Sequence, residues 1–142
     1  MSESADHRDD QELRLTIQRL ARRIRSMQSD ETVTEGQRAV LFALNNEGPQ
    51  TLSALSEHER VTPPSMNRTI NALVAGGLVT RVGAEDDGRK VSIDLSPTGR
   101  TFIAETKRKR DAWFTQQLAR LTEEQRHIVD QSLAILREIA DS

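Results

Sequence analysis

The segment from Thr51 to Gly99 limits the fold more than any other part of the chain. Thr51 is placed to cap a short helix from Leu52 to about Glu59 that buries Leu52 and Leu55. Thr62 is placed to cap a second helix that opens on Pro63, a position where a missing N–H does no harm. This second helix turns Met66, Ile70, Leu73 and Val74 to one side and ends at Gly76-Gly77. Leu78-Val79-Thr80-Arg81-Val82 and Val91-Ser92-Ile93-Asp94-Leu95 then read as two strands around the charged loop Glu85-Asp86-Asp87-Gly88-Arg89-Lys90. Two helices joined by a short turn and followed by such a hairpin set one polar helix face and one basic hairpin tip on the same side of a small lobe.

The flanks have a different character. Residues 1–11 are polar and acidic without apolar periodicity, and read as a disordered or frayed tail. From Leu13 the apolar positions Leu13, Ile17, Leu20, Ile24 and Met27 alternate steps of four and three, a heptad-like stripe that needs a partner along its length. Thr34 and Gln37 form a capping box for a helix through Val40, Leu41 and Leu44 that Gly48-Pro49 ends. Pro97 opens a long helix through Phe102, Ile103, Trp113, Phe114 and Leu118, and Thr122 with Gln125 starts a final helix carrying Ile128, Val129, Leu133, Ile135, Leu136 and Ile139. The expected fold is mainly α with a small β-hairpin. A winged helix-turn-helix lobe over about 34–99 joins dimerisation helices over about 12–29 and 98–140, all within one domain spanning 12–142. The stripes at both ends are wide for a monomer, so a helical dimer is expected to cover them.

At 142 residues the chain is long enough to bury about two thirds of its unfolded surface without a disulfide or metal staple. It holds no cysteine, which excludes disulfides, thiolate metal sites and thiol redox sensing. No apolar run approaches the roughly 18 residues that span a bilayer, and Met1 to Asp6 lack a basic-then-apolar signal pattern, so a cytoplasmic protein with no membrane partner is expected. The net charge of −2 hides a segregation: residues 60–110 hold 10 Lys/Arg against 5 Asp/Glu, while both flanks are acidic. Lys107-Arg108-Lys109-Arg110 supplies much of that excess, so charge only supports a nucleic-acid partner.

On a helical wheel with Met66, Ile70 and Leu73 inward, Pro64, Arg68, Asn71 and Ala75 point outward, flanked by Ser65 and Asn67. This face carries no carboxylate to repel phosphate, and Asn and Arg can pair with base edges. The helix amino terminus after Thr62 also suits a phosphate. Arg81 on the first strand and Arg89 with Lys90 past the hairpin tip extend the candidate surface for double-stranded DNA, with Asp87 placed to orient Arg89. The bland reading makes the helix face and the hairpin ordinary solvated surfaces. A rival reading, favoured by the net acidity and by Pro64, is a helical dimerisation or protein-interaction module that does not bind DNA.

Thr62-Pro63-Pro64-Ser65-Met66-Asn67-Arg68-Thr69-Ile70, the following Leu73-x-x-x-Gly77-Leu78-Val79, the Asp87-Gly88-Arg89 wing and Leu95-Ser96-Pro97-Thr98-Gly99 together resemble the MarR family of bacterial transcription regulators. The similarity runs from residue 12 to the end. It implies a homodimeric repressor of a pseudo-palindromic operator, released by a small ligand or another signal. It also implies that Ser65, Asn67 and Arg68 are recognition-helix contacts, that Arg89 contacts the minor groove, and that Asp87 buttresses it. Pro64 departs from the small polar residue usual at its place.

His7, His58 and His127 are scattered, and no Ser-His-Asp set, phosphate loop or metal-binding helix motif is present, so neither an enzyme, a metal nor a cofactor is expected. Trp113 and Phe114 are the candidates for lining an effector pocket, with ordinary packing as the plainer reading. Without thiols, an anionic or phenolic small molecule, or no ligand, remains open.

Overall fold

A computed structural model describes residues 2–27, 32–83 and 91–142. The elements run α1 (Ser2–Arg25), α2 (Glu35–Glu47), β1 (Gln50–Thr51), α3 (Leu52–Glu59), α4 (Pro63–Ala75), β2 (Val79–Val82), β3 (Ser92–Leu95), α5 (Pro97–Leu118) and α6 (Glu123–Ala140). The chain divides into two compact units, Gln28–Arg108 and a second made of Met1–Met27 with Lys109–Ser142.

The central unit is built on short helices that amphipathic spacing alone would not hold in water. Val40, Leu41 and Leu44 of α2, Leu55 of α3, and Met66, Ile70 and Leu73 of α4 are all buried, with Val79, Ile93, Leu95, Phe102 and Ile103 closing the core from the sheet and α5. Each such side chain contributes about 2 kcal/mol on burial. The inward face read for α4 is therefore the one that packs. Its end is closed by Gly77 at φ +75°, with Leu78 N–H bonded to the Leu73 carbonyl and Gly77 N–H to that of Val74.

The sheet is larger than the expected hairpin. β3 is central, pairing antiparallel with β2 (Val79 opposite Leu95, Arg81 opposite Ile93) and with β1 (Gln50 opposite Ile93, Thr51 opposite Ser92). β1 is two residues long, too short for period-two alternation to register in sequence, and Thr51 serves twice, since its hydroxyl also accepts from Ala54 N–H to cap α3.

One junction fixes where α4 and β2 meet the start of α5. Ser96 Oγ donates to the Gly77 carbonyl at 2.5 Å and accepts from Gly99 N–H at 3.0 Å, while Ser96 N–H donates to the Leu78 carbonyl at 3.0 Å. Gly99 lies so close that a Cβ there would come 2.1 Å from the Leu78 carbonyl oxygen.

In the other unit, α1 begins at Ser2, so the stretch expected to fray is helical. No glycine or proline interrupts the chain before Gly36, and a helix once nucleated propagates through such a sequence whether or not it carries an apolar stripe. The helix also stops at Arg25, earlier than the expected end near 29. Both capping boxes read from sequence are formed, Thr34 with Gln37 and Thr122 with Gln125. Leu13, Ile17 and Leu20 of α1 and Ile128, Leu133, Ile135, Leu136 and Ile139 of α6 are exposed, and no residue of α6 is buried. Among the described residues no helix is long and apolar enough to cross a membrane.

Candidate nucleic-acid interface

α4 presents Thr62, Pro64, Asn67, Arg68, Asn71 and Ala75 to solvent, with Ser65 half-buried at the margin. None of these is acidic. Among the described residues, the side chains of Asn67 and Arg68 have no hydrogen-bond partner, so both are available to an incoming ligand.

The amino terminus of α4 differs from expectation. Pro63 and Pro64 occupy the first two positions and carry no N–H, Ser65 N–H donates to Thr62 Oγ1 at 3.3 Å, and Met66 N–H donates to the Thr62 carbonyl at 2.9 Å. The first turn therefore has no spare backbone donor for a phosphate. Any anion contact here must come from side chains, which a proline pair could have announced in the sequence.

Asn71 and Arg81, read separately as candidate contacts, belong together. The Arg81 guanidinium donates through Nη2 to Asn71 Oδ1, linking the outer face of α4 to β2. Arg81 also lines, with Asn67, Pro63, Val91, Thr51 and Ser53, a cleft of about 370 Å³ between the start of α3, the start of α4 and the sheet. Thr51 and Ser53 were not among the sequence candidates. Thr51 was legible only as a cap, and nothing local showed that β1 would pair with β3 and so bring it to the same cleft as Arg81. Asp87, Arg89 and Lys90, expected at the wing, lie outside the described residues.

The effector candidates fall in the other unit. Arg23 stacks its guanidinium 5.6 Å from the centre of the Trp113 ring, a cation–π contact that accounts for the half-buried indole, and Phe114 is likewise half-buried. His58 Nδ1 lies 3.0 Å from Glu59 Oε1, although neighbours on a helix point about 100° apart. No group of three metal-ligating side chains occurs among the described residues.

The sequence model described as the MarR family matches residues 33–91, which include α2 to β2. An uncharacterised HTH-type transcriptional regulator of Mycobacterium leprae is 34% identical over 137 residues, covering 96% of each chain. The crystal structure of a transcriptional regulator protein from Pseudomonas aeruginosa superposes with a TM-score of 0.81 at 26% identity, covering 98% of this chain and 97% of that one. A variant of S. aureus MepR, solved bound to an oligodeoxyribonucleotide, shares the fold with a TM-score of 0.71 at 16% identity, covering 92% and 96% of the two chains.

Proposed function

The chain belongs to the MarR family of transcriptional regulators, and from that premise we propose that it works as a homodimer repressing a pseudo-palindromic operator and released by a small-molecule effector. Its action is binding rather than catalysis. The observation that carries the reading is the acid-free outer face of α4, on which Asn67 and Arg68 are exposed and unpartnered while Arg81 is braced alongside by Asn71. Asn67 can read an adenine edge, Arg68 can pair with guanine or neutralise a phosphate, and Thr62 and Ser65 hydroxyls can reach the backbone. On the same reading Arg89 and Lys90 are the wing contacts and Asp87 the residue that orients Arg89. The exposed apolar stripes of α1 and α6 support a second copy as the partner that holds two recognition helices one helical turn apart, about 34 to 36 Å.

Selection of bound duplexes from a random pool tests this directly. Recovery of an inverted repeat is the expected result. Absence of any enriched sequence, together with no anisotropy change on mixed duplex at low salt and micromolar protein, would favour a protein-interaction module instead.

A further inference from the structure

We propose that the cavity under the carboxyl-terminal end of α4 is a binding site for a small molecule with an apolar body and a cationic, hydrogen-bond-donating head. This rests on the effector-released regulator reading and names the ligand class and the place where it acts. The cavity, about 480 Å³, lies wholly within the 28–108 unit, between the start of α2, the end of α4 and the first turns of α5. That volume suits a single-ring ligand.

The wall chemistry sets the class. Leu73, Leu78 and Phe102 supply an apolar floor, and Gln37, Thr101 and Glu105 supply the polar rim. Among the described residues that line it, Glu105 alone is ionisable. The two helix amino termini nearby do not offset that charge with donors at their third positions: Gln37 N–H is taken by Thr34 Oγ1 at 3.2 Å and Gly99 N–H by Ser96 Oγ at 3.0 Å. Arg38 sits behind the wall, its Nη2 given to the Val33 carbonyl at 2.9 Å, and is not a lining residue. An anionic ligand would therefore meet a carboxylate, whereas an amidinium or ammonium would find a partner. A convergent apolar floor with one charged group is the ordinary make-up of a ligand site.

The place gives the site its consequence. Ala72 and Gly76 form part of the wall, so an occupant touches the same helix whose outer face carries Arg68 and Asn71. Leu78, also in the wall, holds Ser96 N–H through its carbonyl and leads into β2, which bears Arg81. A ligand here touches α4 directly at Ala72, Leu73 and Gly76, and bears on the Asn71–Arg81 brace through that helix and through Leu78, which leads into β2.

The test uses a matched pair of probes, benzamidine and benzoate, which share a shape and differ in charge. Saturation-transfer NMR titrations on the full chain without DNA are expected to show benzamidine binding in the millimolar range, as befits nine heavy atoms, with benzoate weaker. Glu105→Gln should reduce benzamidine binding by about fivefold and remove the preference, an effect sized for a partly exposed ion pair. Ala72→Phe, a filling substitution at an exposed wall position, should abolish binding while leaving the thermal transition near that of the parent. Saturating benzamidine should weaken duplex binding in the parent and not in Ala72→Phe. Equal binding of the two probes, binding unaffected by Ala72→Phe, or no binding at about 10 mM benzamidine overturns the site, and binding without any change in duplex affinity overturns its coupling to α4. Duplex binding measured without probe tests the regulator reading by itself, so the two can fail separately.

Discussion

Asn71 Oδ1 accepts a hydrogen bond from the Arg81 guanidinium, and this joins the exposed face of α4 to β2 across ten residues of chain. Both groups are exposed, so the bond adds only about 0.5 kcal/mol to folding. It also holds Arg81 beside the helix, and on the proposed reading a guanidinium fixed there would meet a phosphate without first losing rotamer freedom. Asn71→Ala and Arg81→Ala should each weaken operator binding by about three- to tenfold while changing the melting temperature little, and the double variant should lose less than the two combined. Fluorescence anisotropy on the selected operator, run as a double-mutant cycle, measures the coupling. Fully additive losses would mean that the two side chains meet DNA independently.

The contact of Gly99 with Leu78 makes the strongest stability expectation. A Cβ at Gly99 would stand 2.1 Å from the Leu78 carbonyl oxygen and 3.1 Å from its carbon, and backbone has no rotamer by which to retreat. Gly99→Ala should destabilise the protein by about 3 kcal/mol, at the upper end of overpacking effects. Ser96→Ala, which removes a cap and the bond to the Gly77 carbonyl, should lose about 1 to 2 kcal/mol. Urea unfolding followed by circular dichroism separates the two. A Gly99→Ala midpoint equal to the parent's would show that α5 is free to shift away from Leu78.

The Leu95-Ser96-x-x-Gly99 pattern was legible as a resemblance, but its reason was not. The cap that Ser96 forms was not read from the residues, although a serine directly before Pro97 is where such a cap falls, and the approach of Gly99 to Leu78 is tertiary and leaves no local trace. The same division holds elsewhere. Met66, Ile70 and Leu73 could be assigned to the core from spacing alone because a helix has one period, and the Thr34 and Thr122 capping boxes follow from four-residue patterns. β1 escaped because two residues carry no period. Arg60 escaped for a different cause: it closes α3 at φ +56°, a place where sequence reading looks for glycine, and the Val61 N–H bond to the Ser56 carbonyl stabilises that turn. In the site, Asn67 and Arg68 were readable as exposed donors, while the Asn71–Arg81 pair needed the sheet to exist first.

Asn67 and Arg68 should respond differently to substitution if one reads bases and the other neutralises phosphate. Asn67→Ala is expected to relax the preference at one base pair of each half-site by about 1 to 3 kcal/mol and to leave the salt dependence unchanged. Arg68→Ala is expected to weaken binding to all duplexes alike and to lower the magnitude of the log–log salt slope by about one per protomer. Titrations at several salt concentrations against matched and single-mismatch operators distinguish the roles. An Arg68→Ala variant with the parent's salt slope and altered base preference would assign guanine readout to Arg68 instead.

α6 exposes Val129, Leu133 and Leu136 on one face, with Ile128, Ile135 and Ile139 beside them, while its polar side carries His127 and the Arg126–Asp130 ion pair. A stripe of this width left in water invites a second copy, and burial of several such side chains on each protomer is the size of driving force a stable dimer requires. Leu133→Asp places a carboxylate in the middle of that stripe at a position 54% exposed in the protomer, so the fold itself should be spared. Sedimentation velocity at micromolar concentration is expected to show the variant as a monomer and His127→Asp, on the polar side, as a dimer. Because the two recognition helices of a dimer share one binding event, Leu133→Asp should also lose at least about 100-fold in affinity for the full operator while binding a half-site as the parent's lobe does. A Leu133→Asp dimer would move the pairing surface off α6, and a monomer with the parent's operator affinity would break the link between symmetry and recognition.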